Sequence, residues 1–376
     1  MPGSITPEQI RQNNRLLVFQ LIYQHRKISQ QEICLHLHLS RPTVASLLTS
    51  LEKDGLICQG GFLPSDTAGR KASAYSINTA RGIALGVEFC LEEQRLLAVD
   101  LYGEILASRT VPLAFHNRDS FFRETAEKLM DFKSGLPQSG SEILGVGFAV
   151  PGYISPDGQE VFMGRGFDCK NLKLSALSRY LAYPCALFSD VSATAASLMW
   201  ASPELSQAVC LFLSRTLGAA VILDRKVLSG SHGHPASVEH LKMRPEGKMC
   251  YCGKKGCLHT LCSPDVLMEE GLSLDTFFDL IRKSDKASLD KWESYLKNLG
   301  EALCILSALY DLPVILSGEL APYLTEEDIA YLYDIIESSS PFRDMRDSLS
   351  ISILPETAAA AGAALPYIFG FLGGIG

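Results

Sequence analysis

CYCGKKGCLHTLCS, residues 250–263, places four of the chain's eleven cysteines within thirteen positions. Cys250, Cys252 and Cys257 follow a Cys-x-Cys-x4-Cys spacing, with Gly253 and Gly256 where the backbone must turn sharply between ligands. His240 lies ten positions upstream, at the end of a polar loop. One imidazole and three thiolates make a tetrahedral donor set suited to structural Zn2+, with no position left for a substrate water. Two other readings stand beside it. One is a reduced, partly buried thiol cluster. The other is a redox pair, for which Cys250 and Cys252 are awkwardly close. Cys262 and the other cysteines read as ordinary core or surface residues.

The rest of the 376-residue chain must accommodate this loop. An apolar fraction of 47% with 20% charged residues is that of a globular protein, and the length suits two or three domains. The opening MPGSITPEQIRQNNR has no apolar run behind a basic head, so no signal peptide is expected. ALPYIFGFLGGIG, near the end, is too short and glycine-rich to span a bilayer. A cytoplasmic location with no membrane partner is therefore expected, where clustered cysteines bind metal more often than they form disulfides. Residues 1–80 carry eight Lys/Arg against five Asp/Glu, a net +3, which leaves −11 on the remainder of a −8 chain. A mildly basic head on an acidic body fits a small nucleic-acid-binding module joined to a part that avoids DNA.

The head reads as helices. Thr6-Pro7-Glu8-Gln9 is a capping box with proline in the first turn, and Ile10, Leu17, Val18 and Leu21 follow at helical spacing. Ser29-Gln30-Gln31-Glu32 is a second capping box, leading into Ile33 and Leu37. After a short turn at His38-Leu39, Ser40 caps a third helix in which Val44, Leu47, Leu48 and Leu51 face the core. This pattern is that of a helix-turn-helix, whose second helix reaches base edges with its first residues. Ser40, Arg41, Pro42, Thr43 and Ser46 are assigned to that role. Leu56-Ile57-Cys58 and Ala74-Tyr75-Ser76-Ile77 then read as a β-hairpin wing, its loop carrying Gly69-Arg70-Lys71. Arg70 and Lys71 suit a narrow minor groove with concentrated negative potential. A packing module without nucleic acid is the plainer alternative.

From residue 82 the periodicity changes. GIALGVEF, RLLAVDL, EILASRTV and ILGVGFAV read as strands, with the helix FRETAEKLMDF before the fourth. Helices are expected at LSALSRYLAY, at SATAASLMWA and over much of 264–311. Strands are expected at AVCLFLS, AAVILD, PVILSGE and ISILP, before an alanine-rich final helix. Meandering strands followed by strands interleaved with helices point to two α/β lobes.

Head and body in this order, with His240 followed by CYCGKKGC, resemble the ROK family of repressors, reading frames and sugar kinases. Asn13-Asn14-Arg15, ISQQEICLHLHLSRPTVASLLTSLEKDGLI and Gly69-Arg70-Lys71 resemble the family's regulators. GVGFAVPGYISPDG, with Gly152 in its proline-glycine turn, and PVILSGELA resemble its body. The resemblance implies an α/β chain: a winged helix-turn-helix over 1–80, then an actin-like body with lobes over 81–195 and 196–376, its last helix returning to the first lobe. It also implies that His240, Cys250, Cys252 and Cys257 hold a structural zinc.

The family's kinases carry an Asp-x-Gly-x-Thr phosphate turn. Here the stretch is Gly86-Val87-Glu88-Phe89-Cys90-Leu91, and Ser214–Ala220 is thin in glycine where the family has several. Backbone cradles for phosphate need close approach of N–H groups, so the chain is read as a ligand sensor and not as an enzyme. The family's sugar-binding Asn-Asp pair is Ser189-Asp190 here, its Glu-x-x-His segment is Ser237-Val238-Glu239-His240, and its last glutamate is His259. Loss of two carboxylates and an amide weakens the grip on an ordinary hexose. Three readings of the pocket are open: an anionic or modified sugar such as a sugar phosphate, paired with His259; a vestigial pocket under control of a protein partner; or a plain sugar, with Glu239 compensating for Ser237. For Asp190 a helix N-cap competes with ligand contact. The whole reads as a transcriptional repressor, a homodimer or tetramer on a pseudo-palindromic double-stranded DNA operator. A sugar kinase is the competitor from another class.

Overall fold

The computed structural model describes residues 6–62, 73–268, 272–339 and 348–375. The first three helices are Pro7–His25, Gln30–Leu37 and Arg41–Lys53. Thr6 and Ser29 form both halves of their capping boxes, and Ser40 Oγ accepts from the Thr43 amide. His38 closes the turn in the left-handed region at φ 52°. Strands Ile57–Phe62 and Ser73–Ile77 pair antiparallel, as the wing reading requires. The two-residue strand Ile28–Ser29 adds a third member beside Ser73–Ile77; it is too short to show a period. Arg70 and Lys71 lie outside the described residues.

One expectation needs correction in the first helix. Its buried face is Val18, Phe19 and Ile22, whereas Ile10 and Leu17 are 51% and 38% exposed. The phase of a weakly amphipathic helix is set by its neighbours, here the helix Arg41–Lys53 and the sheet.

The body holds two five-stranded sheets. In the first, the order is Cys185–Ser189, Glu142–Val150, Gly82–Phe89, Gln94–Val99, Ile105–Val111. The first three strands run parallel, and the other two complete an antiparallel meander. In the second, the order is Lys226–Val227, Gly218–Leu223, Ala208–Phe212, Val314–Ser317, Leu349–Ile351. The helix Asp190–Ala201 links the two sheets in sequence. Each sheet has its own apolar core, around Phe89, Phe121 and Phe148 in one and around Leu211, Trp292 and Leu299 in the other.

Three local readings differ from the structure. LSALSRYLAY is helical only over Leu174–Ser178, because Arg179 and Tyr180 turn to the Asp119 carboxylate and the chain closes in turns. The strand read at ISILP is Leu349–Ile351, and Ile353 is already exposed. The hairpin Gly152–Ile154 with Glu160–Gly164, flanked by Leu172–Lys173, was not expected at all.

The last helix, Ala358–Gly373, packs on the first sheet and on the helix Asp190–Ala201. Its alanines need that closeness, and glycines in the facing elements supply it. A Cβ at Gly86 would stand 1.9 Å from the Ala360 carbonyl oxygen, and one at Gly147 would stand 1.9 Å from that of Ala363. This helix also joins a third apolar cluster. There Val18, Phe19, Ile22 and Leu48 of the head pack in one core with Leu97, Leu101 and Tyr102 of the first lobe and with Ala364, Ile368 and Ile375. The Tyr23 and Tyr102 rings are 5.0 Å apart, and the Arg26 guanidinium stands 3.8 Å over the Tyr102 ring.

Candidate functional site

His240 ends a single 3-10 turn, Val238–His240, while the three cysteines sit on a knuckle held by backbone bonds from Cys250 N to the Lys254 carbonyl and from Gly256 N to that of Lys248. Gly253 and Gly256 make the turns with φ of 79° and 73°. A Cβ at Gly256 would fall 1.4 Å from the Arg244 carbonyl oxygen, so only glycine fits. The result brings all four side chains together: one donor atom from each of His240, Cys250, Cys252 and Cys257 lies within 4.8 Å of the others. Cys252 and Cys257 sulfurs are 3.7 Å apart, and His240 Nδ1 is 3.9 Å from the Cys250 sulfur. Tetrahedral bonds of about 2.3 Å place two zinc-bound sulfurs about 3.8 Å apart, so donor types and spacing fit that ion. None of the eleven cysteines is in a disulfide. Burial pushes the Cys257 thiol up to about 12 when no cation is present.

Beside this knuckle, between the lobes, the other expected residues gather around a group that the sequence reading missed. Arg165, in the turn after the short hairpin, is only 1% exposed and donates to the Asp190 carboxylate. Asp190 is the first residue of the helix Asp190–Ala201 and not its cap. Ser189 holds the cap position without a side-chain cap bond, and the Asp190 carboxylate is turned to Arg165 instead. Ser189 Oγ is 3.5 Å from the same guanidinium, and Thr216 Oγ1 of the second lobe is 3.5 Å from Asp190 Oδ2. The Tyr153 ring lies 5.7 Å from the guanidinium, and its hydroxyl donates to the buried Glu239 carboxylate. Burial, then the Glu239 charge, raises the Tyr153 phenol well above its usual range. Gly152 is packed under the hairpin, where a Cβ would meet Val161 Cγ1 at 2.7 Å. Ser237 Oγ bonds the His234 carbonyl at 3.0 Å.

The Tyr251 ring packs edge-on between His240 and His259, at 5.2 and 4.8 Å. Burial lowers the His259 imidazole below the usual histidine range. His240 Nε2 and His259 Nδ1 are buried with no hydrogen-bond partner among the described residues. Arg165, Tyr153 and Tyr251 thus complete a wall of which the sequence showed only parts. The one local sign was a cation held between Gly164 and Gly166, the latter at φ 63°.

Three carboxylates gather around Arg95 at the end of the first body strand. Glu88 lies 3.6 Å from Arg95, which also meets Glu93 at 3.0 Å and Glu356 at 3.8 Å. Burial lifts the Glu88 carboxyl to about 7 against the pull of Arg95, and burial also raises Glu319. In the head, Arg41, Pro42, Thr43 and Ser46 are exposed on the third helix, opposite Val44, Leu47, Leu48 and Leu51. Among the described residues no helix is long and apolar enough to cross a membrane.

A winged helix-turn-helix fused to a two-lobed, sugar-kinase-like α/β body is the architecture these elements define. The chain belongs to the ROK family, whose model matches residues 84–332, and the MarR family model matches residues 12–58 of the head. It is 24% identical over 263 residues to the xylose repressor of Caldicellulosiruptor bescii, covering 69% of this chain and 66% of that one. It is 22% identical over 387 residues to the DNA-binding transcriptional repressor Mlc of Escherichia coli, covering 97% and 94%. A ROK family transcriptional regulator described as a homolog of the E. coli MLC protein superposes with a TM-score of 0.77 at 20% identity, over 96% of this chain and 98% of that one. The ROK hexokinase of Thermus thermophilus superposes at 0.65 and 20% identity, over 78% of this chain and all of its own length.

Proposed function

We propose that this chain is a DNA-binding transcriptional repressor whose two-lobed body takes a sugar-derived effector between its lobes. The observation that carries this reading is the head. It presents Arg41, Pro42, Thr43 and Ser46 outward on a capped helix and shares one core with a ROK body. Relatives named as repressors across nearly the whole chain support it. Two heads related by a twofold axis read a pseudo-palindrome, so the working form is a homodimer or a higher even assembly.

His240, Cys250, Cys252 and Cys257 hold a structural zinc, supported by their donor types and mutual spacing. When bound, the ion cross-links the knuckle to the turn that ends in His240, and so fixes Glu239 against Tyr153. The effector acts by preferring one of two lobe arrangements; a ligand that bound both equally would shift nothing. The body is not a kinase. Residues 86–91, where the resemblance places the family's phosphate turn, carry Glu88 beside Arg95 and no Asp-x-Gly-x-Thr.

The test is binding to the DNA upstream of the protein's own coding sequence, followed by fluorescence anisotropy. Arg41→Ala should weaken the preferred sequence by about 5- to 150-fold and relax its specificity. Arg70→Ala or Lys71→Ala should weaken all sequences alike. Unchanged binding in all three variants would remove the head from DNA recognition. Turnover of ATP with any common hexose would overturn the non-kinase reading.

A further inference from the structure

The cleft is already engaged by its own side chains. Asp190, the carboxylate through which first-lobe Arg165 and second-lobe Thr216 meet, is paired with a guanidinium that is 1% exposed. Glu239, the other cleft carboxylate, accepts from Tyr153. A neutral ligand that reached Asp190 would have to displace Arg165 and leave a buried cation with no counter-charge. Breaking one side of a buried pair is strongly unfavourable, and sugar hydroxyls do not replace the lost charge.

A ligand that brings its own anion meets a smaller penalty. It keeps the 1%-exposed guanidinium paired in a forked, charge-assisted contact and leaves only Asp190, at 13% the more exposed partner, to accept from its hydroxyls. Three buried nitrogens in this wall have no partner among the described residues: Arg165 Nε, His240 Nε2 and His259 Nδ1. Arginine Nε always carries a proton, and each imidazole offers one at the nitrogen that holds it. The uncapped start of the helix Asp190–Ala201 adds its first amides at the same place.

From this juxtaposition we infer that Arg165 makes the cleft selective for a polyhydroxylated anion, a sugar acid or a sugar phosphate, and closes it to neutral hexoses. The inference rests on the reading of the cleft as an effector site.

Calorimetric titration of the full chain with glucuronate, glucose 6-phosphate, glucose and inorganic phosphate tests it. One of the two acidic sugars should bind at least tenfold more tightly than glucose or phosphate alone; which one responds separates carboxylate from phosphate recognition. In Arg165→Gln that affinity should fall tenfold or more, and glucose should bind as well as the acid. Arg165→Lys should keep a weakened preference for the acid. Asp190→Asn, which leaves Arg165 without its partner, should bind inorganic phosphate at least tenfold more tightly than the wild type. Glucose binding by the wild type as tight as that of the acids would overturn the inference. So would an acid affinity indifferent to Arg165→Gln, or Asp190→Asn without a gain for phosphate when the wild type binds neither acid. Operator binding by the head, measured on the same preparations, tests the regulator reading separately.

Discussion

Gly362→Ala puts a single methyl group between the last helix and the helix Asp190–Ala201. An ideal Cβ at Gly362 stands 1.7 Å from the Ala193 carbonyl oxygen and 2.5 Å from its carbon. Both atoms are backbone, so no side chain can swing aside. To restore an ordinary contact of about 3.2 Å the two helices must part by about 1.5 Å, and alanines along both must give up close contacts. Overpacking of this kind costs about 1–3 kcal/mol, occasionally more. The gain from replacing a helical glycine offsets only about 0.5–1 kcal/mol. A net loss of about 1–2 kcal/mol lowers the Tm by about 2–8 °C for a lobe of this size. Gly370→Ala is the matched control, since the same helix leaves that position with no atom within 4 Å; it should be neutral or slightly stabilising. Differential scanning calorimetry of the two variants decides the matter. Equal midpoints would mean that the last helix does not lie where it is described.

Elemental analysis should find one zinc per chain, lost in Cys257→Ser with a lower Tm and retained in Cys262→Ser; a metal-free Cys257→Ser of wild-type stability would dispose of a structural ion. Glu88 holds its proton more tightly folded than unfolded, at about 7 against 4.5. Its contribution to stability is therefore present below pH 4.5 and lost as pH rises through 7. Relative to wild type, Glu88→Gln should gain stability between pH 5 and pH 8, by at most about 3 kcal/mol in urea unfolding; a gap that does not change with pH would refute it. Tyr153→Phe leaves the buried Glu239 carboxylate without that donor and should cost about 2 kcal/mol. A loss under about 0.5 kcal/mol would show the bond to be immaterial.

The elements that local pattern dictates were legible in the sequence. Capping boxes at Thr6 and Ser29, the apolar stripe from Val44 to Leu51 and the metal spacing around Cys250 each rest on residues a few positions apart. What could not be read rests on distant pairs. Arg165 meets Asp190 across twenty-five positions, and Tyr153 meets Glu239 across eighty-six. Neither pair leaves a period, and an arginine between glycines looks like any exposed turn. The face of the first helix failed for a related reason, because it is set by packing against the helix Arg41–Lys53 and the strand Ser73–Ile77, further along the chain. The alanine run of the last helix is plain in the sequence, yet the glycines that receive it at positions 86 and 147 belong to strands whose pairing is set elsewhere.

The core shared by the head, the first lobe and the end of the chain has a practical consequence. Ile368, Phe371 and Ile375 stand among the residues that support the three head helices. A truncation, or a purification tag fused behind them, would register as faulty operator recognition although every residue from 6 to 80 was untouched. For the same reason the head is a poor cassette. Transplanted alone, it would carry a raw apolar face where Tyr102 and the last helix used to be.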